Sequence, residues 1–562
     1  MAKPVIPAQN LGQMLQDGLA LHRQGRLDDA EKFYTRVLKL QRDQFDALHL
    51  LGMLNHQRGK TGEAYRLLTA ALKVDPRSAD ALSNLGLVLH ALKRDGEALQ
   101  SFDKALAMAP GHLESLNNRG NVLLALKRPA DALSSFEQVL AREPRHLQAR
   151  VNRGNALSEL RRNDEALAEY DAALAAQPGN PNALYNRGNA LRLLGRERDA
   201  VAAYDKALAM LPAHVTAWYN RALALAALNR HREALESFGK ALSLRPDYAD
   251  AEFSAALSHL TLGDYRRGFA AYEARWKRSG MSGRPRFRQP LWLGEYPLGN
   301  RTILLHAEQG LGDSIQFARY APLLARGGAR VILEVQPELK ALLSGLDGVA
   351  AVIGRGETPP PFDVQSPLAS LPLALKTDPA TVPVEIPYLR ASEARIAEWR
   401  PRLEALPAPR VALVWSGRST HVNDRNRSIS LPQLAPLLDI AGVSFVSVQR
   451  EPRAAEAELL TRESRLRHVG DDLNDFSDTA AVLALVDLVI SVDTSVAHLA
   501  AAMGRPTWVL LPFQPDWRWT LDGDRSPWYP QVRLFRQSAP GDWANVLSRL
   551  GEELASWPAP VT

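Results

Sequence analysis

The chain has 562 residues, too many for one compact core, so at least two domains are expected. Apolar residues make up 46% and charged residues 23%, an ordinary soluble composition, and a net charge of +6 at this length is too thinly spread to argue for nucleic acid as a partner. The absence of cysteine excludes disulfides, thiolate metal sites and cysteine nucleophiles.

The opening stretch, "MAKPVIPAQNLGQML", has no apolar signal core, and no later run is long enough to span a bilayer. A cytoplasmic location is therefore expected. The first half is periodic. Small residues stand 34 apart at Ala30, Ala64, Ala98, Ala132, Ala166, Ala200, Ala234 and Gly268. Four residues after each comes a bulky one: Tyr34, Leu68, Phe102, Phe136, Tyr170, Tyr204, Phe238 and Tyr272. Glycines at Gly52, Gly86, Gly120, Gly154 and Gly188 mark a close helix crossing, and prolines from Pro76 to Pro246 close the units. Each unit reads as two antiparallel helices. This array resembles the tetratricopeptide repeat, with about eight units inside a domain expected over residues 1–280. Stacked units form a superhelix with a concave groove.

Asn84, Asn118, Asn152, Asn186 and Asn220 recur on the first helix of five units, and Asn121, Asn155 and Asn189 recur one turn later. An amide both donates and accepts, so such rows can grip the backbone of an extended peptide. They can equally bond one helix to the next, or mark duplication of units. O-linked N-acetylglucosamine transferase carries a similar ladder in its repeats, and that resemblance implies acceptor binding. Arg119, Arg153, Arg187 and Arg221 follow the same period, either favouring acidic acceptors or forming a solvated edge.

Beyond Trp276 the period ends, and a basic, Gly/Pro-rich connector leads into alternating strand and helix patterns. The expected strands are "TILLHA", "RVILEV" and "AAVI", then "VALVW", "VSFVSV", "DLVISV" and "TWVLL". A Pro-rich stretch separates the two sets. Two Rossmann-like lobes are expected, over residues 281–395 and 396–562. Ligands in such sheets sit beyond the carboxyl ends of the strands.

Three turns fall there. "HAEQGLGDSI" has two glycines of a dinucleotide fingerprint but Ile315 in place of the third, which disfavours a dinucleotide. Asp313 in that turn is either a helix cap or a base facing the cleft. "WSGRSTHVNDRNRSISL" carries Arg418, Arg425 and Arg427, forks suited to phosphate oxygens or a solvated loop. "SVDTSVAHLA" places Asp493, Thr494 and Ser495 at a helix start, where capping and anion binding both fit. The pair Asp522 and Asp524 reads as a solvated turn, not a metal site. No G-x-S-x-G or H-E-x-x-H motif is present.

"DTSVAHLAAAMGRPTWVLL" and "QGLGDSIQFARYAPLL" resemble the two lobe signatures of the lipopolysaccharide heptosyltransferases, glycosyltransferase family 9. The resemblance implies a GT-B fold and inversion at the sugar. Asp313 takes the place of the catalytic carboxylate, and Arg427 that of a phosphate-holding base. Thr494 and Ser495, with Asp493 before them, take the diphosphate turn. Gly312, Arg425, Gln449, His498, Trp517 and Arg518 are secondary donor-site candidates, although Trp517, Arg518, Trp519, Arg525, Trp528 and Tyr529 suit a packed core equally well.

Repeats joined to such a half resemble bacterial protein glycosyltransferases, including those that modify flagellin. The expectation is an inverting transferase that needs no metal or cofactor, with a nucleotide sugar as co-substrate and a protein Ser or Thr as acceptor. Flagellin is the candidate acceptor, and a homo-oligomer is a candidate assembly. The rivals are a non-catalytic scaffold with a nucleotide-binding half, and a transferase acting on a glycolipid or lipopolysaccharide.

Overall fold

The computed structural model describes residues 8–278, 287–420 and 423–557. Compact packing divides the chain into residues 1–224 and 225–562.

The first unit is built of paired helices, such as Ala79–Ala91 with Asp95–Met108 and Leu147–Glu159 with Asn163–Ala176. The periodic glycines are explained by their neighbours. A Cβ on Gly154 would stand 2.6 Å from the Tyr170 ring, and one on Gly188 would stand 2.5 Å from Tyr204. The bulky residue of the second helix thus lies flat against the glycine of the first, and the small Ala132, Ala166 and Ala200 are fully buried beside it. Gly154→Ala is expected to destabilise the array by about 1–3 kcal/mol through overpacking. Gly96→Ala, with nothing within 4 Å of the new methyl, is expected to be neutral or mildly stabilising. Urea titrations of both variants, followed by circular dichroism, check the pair.

The asparagine rows are tied into the array. Asn152 donates to Asn117 at 3.1 Å, Asn186 to Asn155 at 2.9 Å, and Asn220 to Asn189 at 2.8 Å and to the Tyr185 hydroxyl at 3.2 Å. Asn84 bonds His49 at 2.7 Å. Asn155 and Asn189 also accept from Tyr170 and Tyr204. Six of the eight ladder amides therefore brace neighbouring helices, and Asn118 and Asn121 make no such bond among the described residues. The arginine column is paired with acids. Arg119, Arg187 and Arg221 pair with Asp103, Asp171 and Asp205 at 2.6–2.7 Å, and Arg153 pairs with Glu169 at 3.1 Å. Partly buried guanidiniums paired with half-exposed aspartates fit a solvated edge.

The second unit opens with helices that keep the repeat register, His231–Leu244, Ala249–Thr261 and Tyr265–Tyr272, and then a short turn Glu273–Lys277. The unit boundary lies upstream of residue 280 because these helices pack on α/β residues. Tyr265 and Phe269 sit against Trp517 and Trp528 at ring separations of 5.6–6.4 Å, and the Trp528 indole donates to the Tyr265 hydroxyl at 2.9 Å.

Two parallel sheets follow. The first contains β1 (Thr302–His306), β2 (Arg330–Val335), β3 (Val349–Gly354) and β4 (Val364–Pro367), in the order β3-β2-β1-β4. The second contains β5 (Arg410–Val414), β6 (Ser444–Ser447), β7 (Leu466–His468), β8 (Leu488–Val492), β9 (Thr507–Leu511) and β10 (Arg533–Arg536), in the order β10-β9-β8-β5-β6-β7. Residues of β8 and β9 are buried throughout, as expected for strands covered on both faces. The chain is thus a helical repeat array followed by an α/β region with a GT-B-like pair of parallel sheets. Among the described residues, no helix is long and apolar enough to cross a membrane.

Candidate active site

Two short helices start at the carboxyl ends of central strands: α1 (Leu311–Ala318) after β1, and α2 (Ser495–Ala502) after β8. Their first turns meet. A Cβ on Gly312 would stand 2.8 Å from the His498 ring and 3.5 Å from Ser495 Cα, so only glycine lets the lobes approach this closely. The alanines of α2 (Ala497, Ala500, Ala501 and Ala502) are fully buried and permit the same approach.

Asp313 occupies the third position of α1. Its Oδ2 accepts from the Gly310 N–H at 2.9 Å, which is the backward half of a capping box. Its Oδ1 pairs with Arg518 from the other lobe, leaving the side chain 25% exposed. Arg518 is the hub of the site. It donates to Asp516 at 2.8 Å, to Asp313 and to Gln316, and its guanidinium lies 4.3 Å from the Trp517 ring. Burial works against its charge, but Asp516 and Asp313 outweigh that and raise its affinity for the proton. It is therefore a fixed cation at the meeting point of the lobes.

At α2 the cap expectation fails in an informative way. Thr494 has the extended backbone of a cap residue, yet its side chain makes no capping bond and its hydroxyl turns to Ser491 Oγ at 3.0 Å. Among the described residues no side-chain bond caps the first N–H groups of α2, and the positive end of the helix favours an anion there. Arg427 flanks the turn by donating to the Asp493 carbonyl at 2.9 Å. The Asp493 carboxyl is pushed up to about 6 by desolvation and by nearby Asp516, with Arg427 and Arg518 opposing. Asp493 thus serves the site through its carbonyl oxygen, which anchors a cation.

Arg427 lies across Gly417, and a Cβ at that position would collide with the guanidinium. Gly417→Ala is expected to displace Arg427 and raise the donor KM by about tenfold, the order of one charge-assisted hydrogen bond. Donor saturation curves for wild type and variant check this.

The other candidates are dispersed. His498 is buried and bonds the Tyr529 hydroxyl at 3.1 Å. It stacks on Trp519 at 5.3 Å, and desolvation holds it well below the usual histidine range, so it is a neutral buttress behind the turn. Gln449 is 5% exposed and accepts from the Ser416 N–H at 3.2 Å, joining the ends of β5 and β6. Arg425 is exposed on the turn Asp424–Arg427. Trp517 is 4% exposed and, with Trp519, Trp528 and Tyr529, belongs to the core rather than to a cleft wall. The Asp522–Asp524 segment is an exposed turn with Gly523 at φ 80°.

Reading the sequence alone misses a second ionic cluster, also at the end of β1. Glu308 pairs with Arg275 at 3.0 Å and accepts from the Ala369 N–H at 3.3 Å. Arg275 also pairs with Glu273 at 2.6 Å and donates to Ser370 Oγ at 2.7 Å. Burial pushes Glu308 up to about 7, with Asp313 adding to the shift and Arg275 opposing it. The only sequence signal is an acid within the turn that precedes α1.

This architecture defines a tetratricopeptide-repeat protein with a two-lobed α/β half of GT-B-like form. Residues 435–514 match the model of glycosyltransferase family 9 (heptosyltransferase). Segments within residues 15–248 match tetratricopeptide repeat models. Protein FlbA of Caulobacter vibrioides is 30% identical over 319 residues, covering 52% of this chain and 52% of FlbA. The chain therefore spans about half the length of that curated relative. Among solved structures, a tetratricopeptide repeat protein from Parabacteroides merdae aligns with 45% of this chain and 99% of its own, at 19% identity and a TM-score of 0.38. YrrB, described as a repeat protein with an unusual peptide-binding site, aligns with 33% of this chain and 95% of its own, at 24% identity and a TM-score of 0.29.

Proposed function

We propose that the chain is an inverting, metal-independent glycosyltransferase that moves a sugar from a nucleotide-activated donor to a Ser or Thr of a protein such as flagellin. The observation that carries this reading is the meeting of the two helix starts. Asp313 stands on one lobe, and an uncapped first turn with Arg427 beside it stands on the other.

The uncapped N–H groups of α2, with the Thr494 and Ser495 backbone, hold the donor diphosphate. Arg427 neutralises charge that develops on the leaving phosphate, a preorganised stabilisation that needs no ion. Asp313 removes the acceptor hydroxyl proton as that oxygen attacks the anomeric carbon. Arg518 fixes the Asp313 carboxylate in place from the donor lobe. We read residues 281–395 as the acceptor lobe, 396–562 as the donor lobe, and the repeats as the presenter of the polypeptide. Asn118 and Asn121 are the ladder amides whose hydrogen-bonding groups are least committed to neighbouring helices.

The experiment is to incubate purified full-length protein with UDP-, GDP-, ADP- and CMP-linked sugars and measure nucleotide release with and without candidate acceptors. Release from one donor class, stimulated by a protein acceptor, is the expected result. No release from any donor would favour the scaffold reading, and release stimulated only by a glycolipid would favour the lipid-directed one.

A further inference from the structure

Two facing helix starts can work together only if their separation is held, and the structure holds α1 and α2 at both ends. At the starts, Gly312 lies against His498 and Ser495. At the far ends, the connector between the lobes, residues 376–391, is bonded to both helices. The Tyr388 and Leu389 N–H groups donate to the carbonyl of Ala502, the last residue of α2, at 3.1 and 3.3 Å. The Tyr388 hydroxyl donates to the Ile315 carbonyl of α1 at 3.1 Å.

A single side chain completes this clamp. Arg319 follows α1 directly and is 3% exposed. Its Nε donates to the Gln316 carbonyl of α1 at 2.9 Å. Its Nη1 donates to the Pro383 carbonyl of the connector at 3.0 Å and to the Trp528 carbonyl of the second lobe at 2.7 Å, and its Nη2 to the Tyr388 hydroxyl at 3.3 Å. The guanidinium also lies 4.5–5.4 Å from the rings of Tyr388, Trp528 and Tyr529. Among the described residues no carboxylate pairs with it, so carbonyl oxygens and ring faces meet its charge. A buried charge is tolerated only where its donors are satisfied, and these acceptors converge in one arrangement of lobe, connector and lobe. Moving the lobes apart would strip them from the cation.

The apolar packing has the same consequence. Leu339, Leu342 and Leu343 of the first lobe, Val382 and Leu389 of the connector, and Ala480 and Leu483 of the second lobe lie in one continuous core. Domains that move independently meet through modest, polar interfaces, whereas a large apolar one makes them a single body. A hinge also needs a connector free to change its backbone angles, and this one is pinned.

We propose that the two lobes form one rigid body and that Arg319 is a positioning residue, fixing the separation of Asp313 from the start of α2 before any donor arrives. This inference rests on the proposed use of those two helix starts. The donor enters a site already assembled, so its binding changes no distance between the lobes. Loosening the clamp acts on kcat, because displacing a reacting group by about 1 Å can cost about 10²-fold. The groups proposed to hold the donor all lie on the second lobe, so donor KM is unaffected.

The chain has no cysteine, so Ala341→Cys on the first lobe and Ser548→Cys on the second accept spin labels at those sites alone. Both positions are exposed, on the helices Pro337–Leu343 and Trp543–Ala555. The distance between the labels is measured by electron–electron double resonance in the full-length protein, alone and with UDP, GDP, ADP or CMP, with Arg319 intact and with Arg319→Lys. Lysine keeps the charge but cannot bond Gln316, Pro383, Trp528 and Tyr388 together. One narrow distance, the same with every nucleotide, is expected with Arg319 intact, and a broader distribution with R319K. Nucleotide release from the corresponding sugar panel by unlabelled R319K is expected to show kcat about 10²-fold lower and donor KM unchanged. A distance that shifts on binding of any nucleotide overturns the proposal. So does a distribution with Arg319 intact as broad as that of R319K, or a broadened R319K that turns over at the wild-type rate. Should R319K fail to fold, Tyr388→Phe, which removes only the hydroxyl joining Arg319 to the Ile315 carbonyl, is read in the same way. The distances need no turnover, so an absence of release from every donor would defeat the proposed function while the labels still decide whether the lobes are rigid.

Discussion

Asp313→Asn is expected to lower kcat for sugar transfer by about 10²–10⁴-fold, the usual worth of a general base, with little change in donor KM. The split follows from the placement of the residue. Asn can still accept from the Gly310 N–H, so α1 keeps its start. The turn proposed to hold the donor phosphates, Arg427 and the α2 N–H groups lie on the other lobe and are untouched. What Asn cannot do is take a proton from the acceptor. If Asp313 were only a helix cap, the variant would lose roughly 1 kcal/mol of stability or less and no turnover. Donor saturation kinetics together with a thermal melt distinguish the two roles, because one moves kcat and the other moves only Tm.

Arg518→Ala is expected to be the most destabilising single change near the site, by about 3–5 kcal/mol, because it strands acids that share one buried cation. Asp516 and Asp313 lose their partner, and Gln316 Oε1 loses its donor. Desolvation already pushes Asp493 up to about 6 with Asp516 adding to the shift, and removing a nearby cation pushes it further. Arg518→Lys keeps a charge but cannot span Asp313, Asp516 and Gln316 together, so it should recover only part of the loss. Chemical denaturation of the two variants and wild type is the check. Equal stability of Arg518→Ala and wild type would mean that the hub contributes nothing.

The repeat array is legible in the sequence because its packing rule is a matter of volume. A glycine on one helix and a ring on the next occur together, and Gly154 under Tyr170 is the physical form of that pattern. The longer strands are legible for a similar reason, since buried parallel strands are continuous apolar runs. β4, β7 and β10 are not, because "VQSP", "LRH" and "RLFR" are short and partly polar, and their register comes from neighbours already in place.

The site divides along the same line. Helix starts after strands mark Asp313 and Thr494 locally. Arg518 lies 205 residues from the Asp313 it binds, and no spacing rule reaches that far. Tryptophans 517, 519 and 528 carry no sign in the sequence of whether they face a cleft or a core, and the structure places them in the core. Gly417 is invisible for another reason, because its function is to leave room for Arg427. At Thr494 the sequence suggests a side-chain cap, and the fold instead bonds that hydroxyl to Ser491, leaving the helix start open.

Openness at that helix start, opposite a carboxylate, is the centre of the account. The most direct measurement is the intact mass of flagellin co-expressed with the full-length wild type or with Asp313→Asn, followed by mapping of modified residues. The account predicts whole-sugar mass increments on Ser or Thr with the wild type and none, or nearly none, with the variant. Equal increments with both proteins would contradict it, as would an unmodified flagellin together with no nucleotide release from any donor.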